Sequence, residues 1–490
     1  MREDANMKTT NNFITCLSTI APIFGWGTTS NRRMGSRFNG FAGKCTICIA
    51  VVVFSLIMAS NALATEIPGA TQKHPIALIN ATIHPVSGPV IENGTLVFDK
   101  GKIVALGANV TVPTGAETID LKGAHVYPGL IDARSQLGLV EIDAVRATRD
   151  VTETGTINPN IRAEVSVNPE SEILPVTRAN GVTTAITMPD GGIISGTAAA
   201  IMLDGWTWEE MTLRAPVGMI VNWPNMTINT SRFERRSEED QKKDRDKAIG
   251  ALENAFKDAR AYWKAKRAEG AEGVPYHKTD LRWEAMGPVL DKTIPVLMDA
   301  EELQQIEAAV AWADQEGVRL VIMGGYDSWR AADLLKAKGV AVIVNPILRL
   351  PWRTWEAYDQ PQQLPKKLFD AGVKFCIAAE GATSNERNLP YNAAMAAGHG
   401  LPKDEALKAV TLYPAQILGI DNRVGSLEVG KDATLIVTDG DPLEISTQVK
   451  MEYIQGKSVS LESRHTHLYE KYKEKYRREK EDGEGAKKGN

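Results

Sequence analysis

Between Val182 and Ala378 the chain alternates short β-rich runs with helical stretches, and this alternation limits the fold more than any other feature. The runs are Val182–Met188, Val217–Asn222, Pro295–Met298, Arg319–Met323, Val340–Val344 and Val373–Ala378. Between the later ones lie EELQQIEAAVAWADQEG, WRAADLLKAKG and PQQLPKKLFDAG, with apolar residues at three- and four-residue steps and a glycine closing each. A helical crossover returns the chain to the end of the sheet where it started, so strands joined this way pair in parallel. The alternating unit spans residues 124–420, and such a length suits an eight-fold barrel, which takes about 250 residues or more, better than an open sheet.

The segments flanking this unit read differently. Residues 65–123 hold IALINATIHPVSGP and GTLVFDKGKIVALG, alternating runs broken by the hairpin signal Asp99-Lys100-Gly101. Residues 421–462 hold GSLEVGKDATLIVTDGDPLE. Neither piece has enough strands to bury a core alone. The expected fold class is therefore α/β: a (β/α)8 TIM-like barrel plus a small β-sandwich built from both ends of the mature chain. Within the barrel, residues 231–272 form a charged helical insertion whose one apolar stripe, Leu252, Phe256, Ala259 and Trp263, predicts a helix packed on the barrel. Residues 463–490 read as a charged tail, a helix that frays.

Residues 1–64 look like a leader. Basic residues Arg32, Arg33, Arg37 and Lys44 precede the apolar run Cys45–Ala59, and Ala62-Leu63-Ala64 supplies a small-x-small site. These are the three parts of a secretory signal peptide, with cleavage expected after Ala64 and export, to a periplasm, as the destination. The apolar run is shorter than the ~20 residues of a membrane span, which leaves a retained anchor as the alternative and predicts no stable span after cleavage. Met34 would open a signal of more usual length. Of the 4 cysteines only Cys376 lies beyond the leader, so no internal disulfide can form. Without the leader, which carries 6 of the 56 basic and 2 of the 61 acidic residues, the net charge is −9. That sign, with no basic stripe, argues against a nucleic-acid partner and leaves a small-molecule substrate or ligand.

The phrase YPGLIDA at Tyr127–Ala133, entering the unit, and GSLEVGKDATLIV, closing the sandwich, resemble the amidohydrolase superfamily, nearest its imidazolonepropionase-like branch. The resemblance covers residues 75–450. It implies a hydrolase of non-peptide C–N bonds whose barrel rim holds a divalent metal, zinc or similar, that activates water. It also implies positions for the metal ligands, and here this chain departs from the family. The first-strand histidine pair falls on Arg134 and Gln136. The fifth-strand histidine falls on Asp299, the sixth-strand histidine on Gly324 and the eighth-strand aspartate on Glu380. No metal ligand is assigned from these residues.

Three readings follow. In the first, an exported amidohydrolase-like hydrolase works with a degraded or atypical metal site. In the second, an inactive homologue binds a small ligand or supports an intact relative, with a homo-oligomer as a further arrangement. In the third, Asp299 and Glu380 perform acid–base catalysis without metal while Arg134, Gln136, Asn385 and Arg387 hold the substrate. Asp299 and Glu380 could equally pair with Arg134 and Arg387 across an empty site. Ser195 lacks the flanking residues of a nucleophile elbow.

Overall fold

The computed structural model describes residues 67–270, 275–379 and 383–488, with side chains as far as 481. The leader read over 1–64 lies outside the described residues, as does Glu380. The strands are β1 (Ile76–Ile83), β2 (Ile91–Asp99), β3 (Lys102–Gly107), β4 (Glu117–Asp120), β5 (His125–Pro128), β6 (Leu130–Ser135), β7 (Val182–Thr187), β8 (Ile194–Met202), β9 (Thr212–Asn222), β10 (Val296–Ala300), β11 (Leu320–Gly324), β12 (Ala341–Val344), β13 (Phe375–Ile377), β14 (Leu435–Thr438), β15 (Val449–Ile454) and β16 (Lys457–Ser458).

Both ends of the chain contribute to one sheet, in the order β16-β15-β14-β5-β1-β2-β3, with β4 also beside β1. The joining step is β5 against β14, antiparallel, with Leu435 opposite Pro128 and Thr438 opposite His125. Leu78, Leu96, Phe98, Val126, Leu435 and Tyr453 meet in its core. Neither end could bury these side chains alone, so the two pieces form one core.

The second sheet runs β6 to β13 in chain order and curls into a nearly closed barrel. Closure between β13 and β6 uses a side chain: Ala379 N–H donates to the Asp132 carboxylate at 3.2 Å. Alternate strand residues divide between two cores. Ile131, Ile186, Leu297, Val321, Ile343 and Cys376 point to the barrel interior, whereas Val296, Met298, Ile322 and Val342 face the surrounding helices.

One strand departs from an eight-fold repeat. β8 pairs antiparallel with both β7 and β9, so no crossover helix separates β7 from β8. The reversal is made by Gly191 and Gly192, with φ of +86° and +69°, which side chains other than glycine rarely adopt. The insertion forms one helix, Glu238–Ala268, started by Ser237 whose side chain accepts from Asp240 N–H. Its buried face is Leu252, Ala255, Phe256 and Ala259, and Phe256 meets Trp312 edge-on with ring centroids 4.9 Å apart. The tail is helical from Arg464 to Lys488. Among the described residues no helix is long and apolar enough to cross a membrane.

Candidate functional site

Barrel strands deliver their last inward side chains into the mouth of the barrel, and here that mouth is a cleft of about 200 Å³. It is lined by Arg134, Gln136, Asp190, Asn222, Asp299 and Glu386, among others. Asp299 shares the inward register of Leu297 two residues earlier on β10. On β6 the pairing with β7 slips between Asp132 and Ser135. This break in alternation lets Arg134, Ser135 and Gln136 all reach the cleft.

The central contact is an ion pair. Arg134 Nη2 donates to Asp299 Oδ2 at 2.7 Å, and its Nη1 donates to Asn345 Oδ1 at 3.1 Å. The two charged side chains are 14% and 31% exposed, enough for a small molecule to reach both. Asn345 then donates through Nδ2 to Glu301 Oε1 at 2.5 Å, and Glu301 Oε2 accepts from Tyr326 N–H at 3.0 Å. A polar chain thus runs Asp299–Arg134–Asn345–Glu301 across the ends of β10, β6 and β12. Burial first, and then the neighbouring Asp299 charge, push the Glu301 carboxyl up to about 7, against a smaller opposing pull from the Tyr326 N–H, Arg134 and Arg349.

Glu301 also explains Gly324. That glycine has φ +90°, and a Cβ on it would lie 2.5 Å from the Glu301 carboxyl carbon. The place of a side chain at the end of β11 is therefore filled by Glu301. On the far side of the mouth, Ser135 donates to Glu386 Oε2 at 2.5 Å and Gln136 N–H donates to Oε1 at 3.3 Å. Asn222 donates to Gly192 C=O and to Ser195 Oγ, both at 3.0 Å, and Ser195 Oγ donates to Gly191 C=O at 2.7 Å. Ser195 therefore serves the β7–β8 reversal.

Of the residues singled out in the sequence, Arg134, Gln136 and Asp299 come together in the cleft. Asn385 and Arg387 do not line it. Asn385 is exposed, and Arg387 turns to the tail helix, with its Nη1 3.0 Å from His465 Nδ1. The pairing of Arg387 with Glu380 lies outside the described residues. The 3-10 turn Thr383–Asn388 sends Glu386 inward in their place. Glu301, Asn345 and Glu386 escaped sequence reasoning: each stands one to three residues from a position that was considered, and only the local backbone decides which neighbour points inward.

Could these residues hold a divalent cation? No cleft-lining residue is a histidine, and the described residues contain no group of three or more His, Cys, Asp or Glu placed to share an ion. The Asp299 carboxylate is engaged by a fixed positive charge, and the β11 position has no side chain. Among the described residues, a guanidinium at the centre of the cleft weighs against a cation at Asp299.

The amidohydrolase family model matches residues 359–462. The chain is 22% identical over 393 residues to amidohydrolase tasK of Hapsidospora irregularis, covering 74% of this chain but only 39% of that protein. It is 27% identical over 381 residues to an imidazolonepropionase of Mesorhizobium japonicum, covering 71% of this chain and 87% of that one. The crystal structure of an amidohydrolase from Thermotoga maritima superposes with a TM-score of 0.71 at 28% identity, covering 79% of this chain and 99% of the other.

Proposed function

We propose that the chain is a member of the amidohydrolase superfamily, an exported hydrolase of small molecules that cleaves non-peptide C–N bonds at the Arg134–Asp299 pair. The observation that carries this reading is the 2.7 Å contact between those residues inside the rim cleft, where this fold keeps its reactive groups. Arg134 hydrogen-bonds the carbonyl oxygen of an amide and stabilises the charge that develops on it. Asp299 takes the proton from a water molecule that attacks the carbonyl carbon. As the C–N bond breaks, protonated Asp299 returns that proton to the departing nitrogen, leaving an amine and a carboxylic acid and restoring the Asp299 carboxylate. Gln136, on the same lip, orients the amide.

The test joins elemental mass spectrometry of the mature protein, prepared without an affinity tag, to a screen of simple amides and lactams. Turnover that survives chelation and falls by about 10²–10⁴ in Asp299→Asn supports general-base action at that residue. One equivalent of zinc, manganese or iron, lost in Asp299→Ala, would instead mean a rebuilt metal site. A second reading, a ligand-binding relative without turnover, is favoured by the same ion pair, since Arg134 already neutralises the base. Saturable binding without hydrolysis would establish it.

A further inference from the structure

At the end of the barrel away from the mouth, where β11 begins at Leu320 and β12 at Ala341, the surface sinks into a recess of about 320 Å³. It is larger than the cleft at the mouth and shares no residue with it. Its wall is apolar. Val310 and Ala313 come from the helix Leu303–Glu316, Ile417 from the helix Leu412–Leu418, and Val321 and Val340 from the strand starts, all at least nine-tenths buried. Its rim is cationic. Arg319, Lys338 and Lys374 line it against one acid, Asp314, in a chain whose net charge without the leader is −9.

Cations gather at this end of a barrel for an ordinary reason, because the helices finish here and their last carbonyls attract positive charge. Two of the three are accounted for. Lys338, in the last turn of the helix Ala332–Lys338, pairs with Asp314, and Arg319 Nη1 donates to the carbonyls of Lys292 and Thr293, both at 3.4 Å. Lys374 is not. The helix before it, Gln360–Ala371, is closed by Gly372, whose N–H donates to the carbonyls of Leu368 and Phe369, and the Lys336 ammonium lies beside that glycine. Among the described residues Lys374 has no hydrogen bond or ion pair. It is exposed, yet neighbouring groups displace enough water to hold its ammonium below the ordinary lysine value, and the Asp421 carboxylate offsets only part of that. An ammonium short of both water and counter-charge, standing over an apolar wall, is completed by an anion. Gln416 adds an amide to the same lining, and Arg319 has Nε and Nη2 unspent among the described residues.

We infer that this recess binds a small amphipathic anion, with an oxyanion head on Lys374 and Arg319 and a compact apolar body against Val318 and Ile417. Pockets for small ligands run from about 300 to 1,000 Å³, and this one stands at the lower end, so its guest is small. The recess is separate from the cleft, and the inference stands without the hydrolase reading.

The experiment is a calorimetric titration of phenyl phosphate into the mature protein, beside inorganic phosphate, benzoate and benzyl alcohol. Saturable binding of phenyl phosphate at least about tenfold tighter than that of inorganic phosphate, which lacks the body, or of benzyl alcohol, which lacks the charge, is expected. Benzoate carries a carboxylate on the same ring, and the tighter of the two aromatic anions names the head. Lys374→Gln should lose about tenfold, or about 1.4 kcal/mol, within the range of one charge-assisted bond, while Lys374→Arg keeps most of the affinity. Unchanged melting temperatures in both variants exclude misfolding as the cause. Arg134→Gln, at the mouth, should leave the binding as it is. Affinity indifferent to Lys374→Gln, or abolished by Arg134→Gln, would overturn the inference. So would equal binding of inorganic phosphate and phenyl phosphate, or no saturable binding of either aromatic anion.

Discussion

Glu301 is a carboxyl whose charge the fold resists. Its value in the folded state is pushed up to about 7 from an ordinary 4.5, so over that interval the folded chain holds a proton the unfolded chain has released. Stability from this group is complete below pH 4.5 and is lost as pH rises through 7, a fall of about 3 kcal/mol for a shift of this size. Glu301→Gln keeps the shape and cannot ionise. Urea denaturation at pH 5 and pH 8 should therefore show the variant losing about 2.5 kcal/mol less than the parent between the two. A difference independent of pH would mean that Glu301 ionises normally. Gly324 offers a geometric check on the same carboxyl. Gly324→Ala should cost about 1–3 kcal/mol, part from φ +90° and part from the 2.5 Å approach to Glu301. In a Glu301→Ala background the second part should vanish, and a double-mutant cycle measures it.

The insertion helix tests what a charged element does. Most of Glu238–Ala268 is polar, yet Phe256 is fully buried against Trp312, so one short apolar stripe packs the element on the barrel, beside the bonds from Arg260 to Glu316 and from Trp263 to the Trp283 carbonyl. Phe256→Ala should cost about 3–5 kcal/mol in chemical denaturation, as large-to-small changes in closed packing do. A cost under about 0.5 kcal/mol would mark the helix as a loosely held appendage. The stripe was legible because Leu252, Phe256, Ala259 and Trp263 keep helical spacing, just as β9 to β13 were legible from their apolar runs. The reversed β8 was only half legible: Gly191-Gly192 announces a turn, but direction depends on which neighbours the strand meets. The lining of the cleft was legible where strand register decides it, as at Asp299 or at the end of β6. It failed in the turn after β13, where 3-10 geometry turns Glu386 inward and leaves Asn385 and Arg387 outside.

At the scale of the whole molecule, the sheet made from both chain ends must be fastened to the barrel between them, and one buried arginine shows how. Arg178, at the end of the barrel helix Ile173–Arg178, donates through Nε and Nη2 to the carbonyl of Ser460, just past β16, at 3.1 and 2.9 Å. Its Nη1 donates to Leu203 C=O at 2.8 Å and lies 3.6 Å from Asp204. Glu452 on β15 is fully buried nearby, and burial raises its carboxyl well above the usual range, opposed by the attraction of Arg178. Replacing Arg178 with methionine keeps most of the apolar bulk but takes the donor from the Ser460 carbonyl and the counter-charge from Asp204, which keeps only the Gly69 N–H. Taking one partner from a buried charged network costs about 3–5 kcal/mol. Glu452→Gln removes an ionisable group that the fold already prefers neutral, so it should cost far less. All tryptophans of the described chain lie between Trp206 and Trp355, so fluorescence follows the barrel, whereas amide exchange at Leu78 and Leu96 follows the sheet. In the parent the two should unfold together. In Arg178→Met both should shift by the same amount, because neither piece of the sheet can keep its core once the barrel stops holding the ends together. Exchange at Leu78 that opens before the barrel fluorescence changes would show that the sheet has a stability of its own.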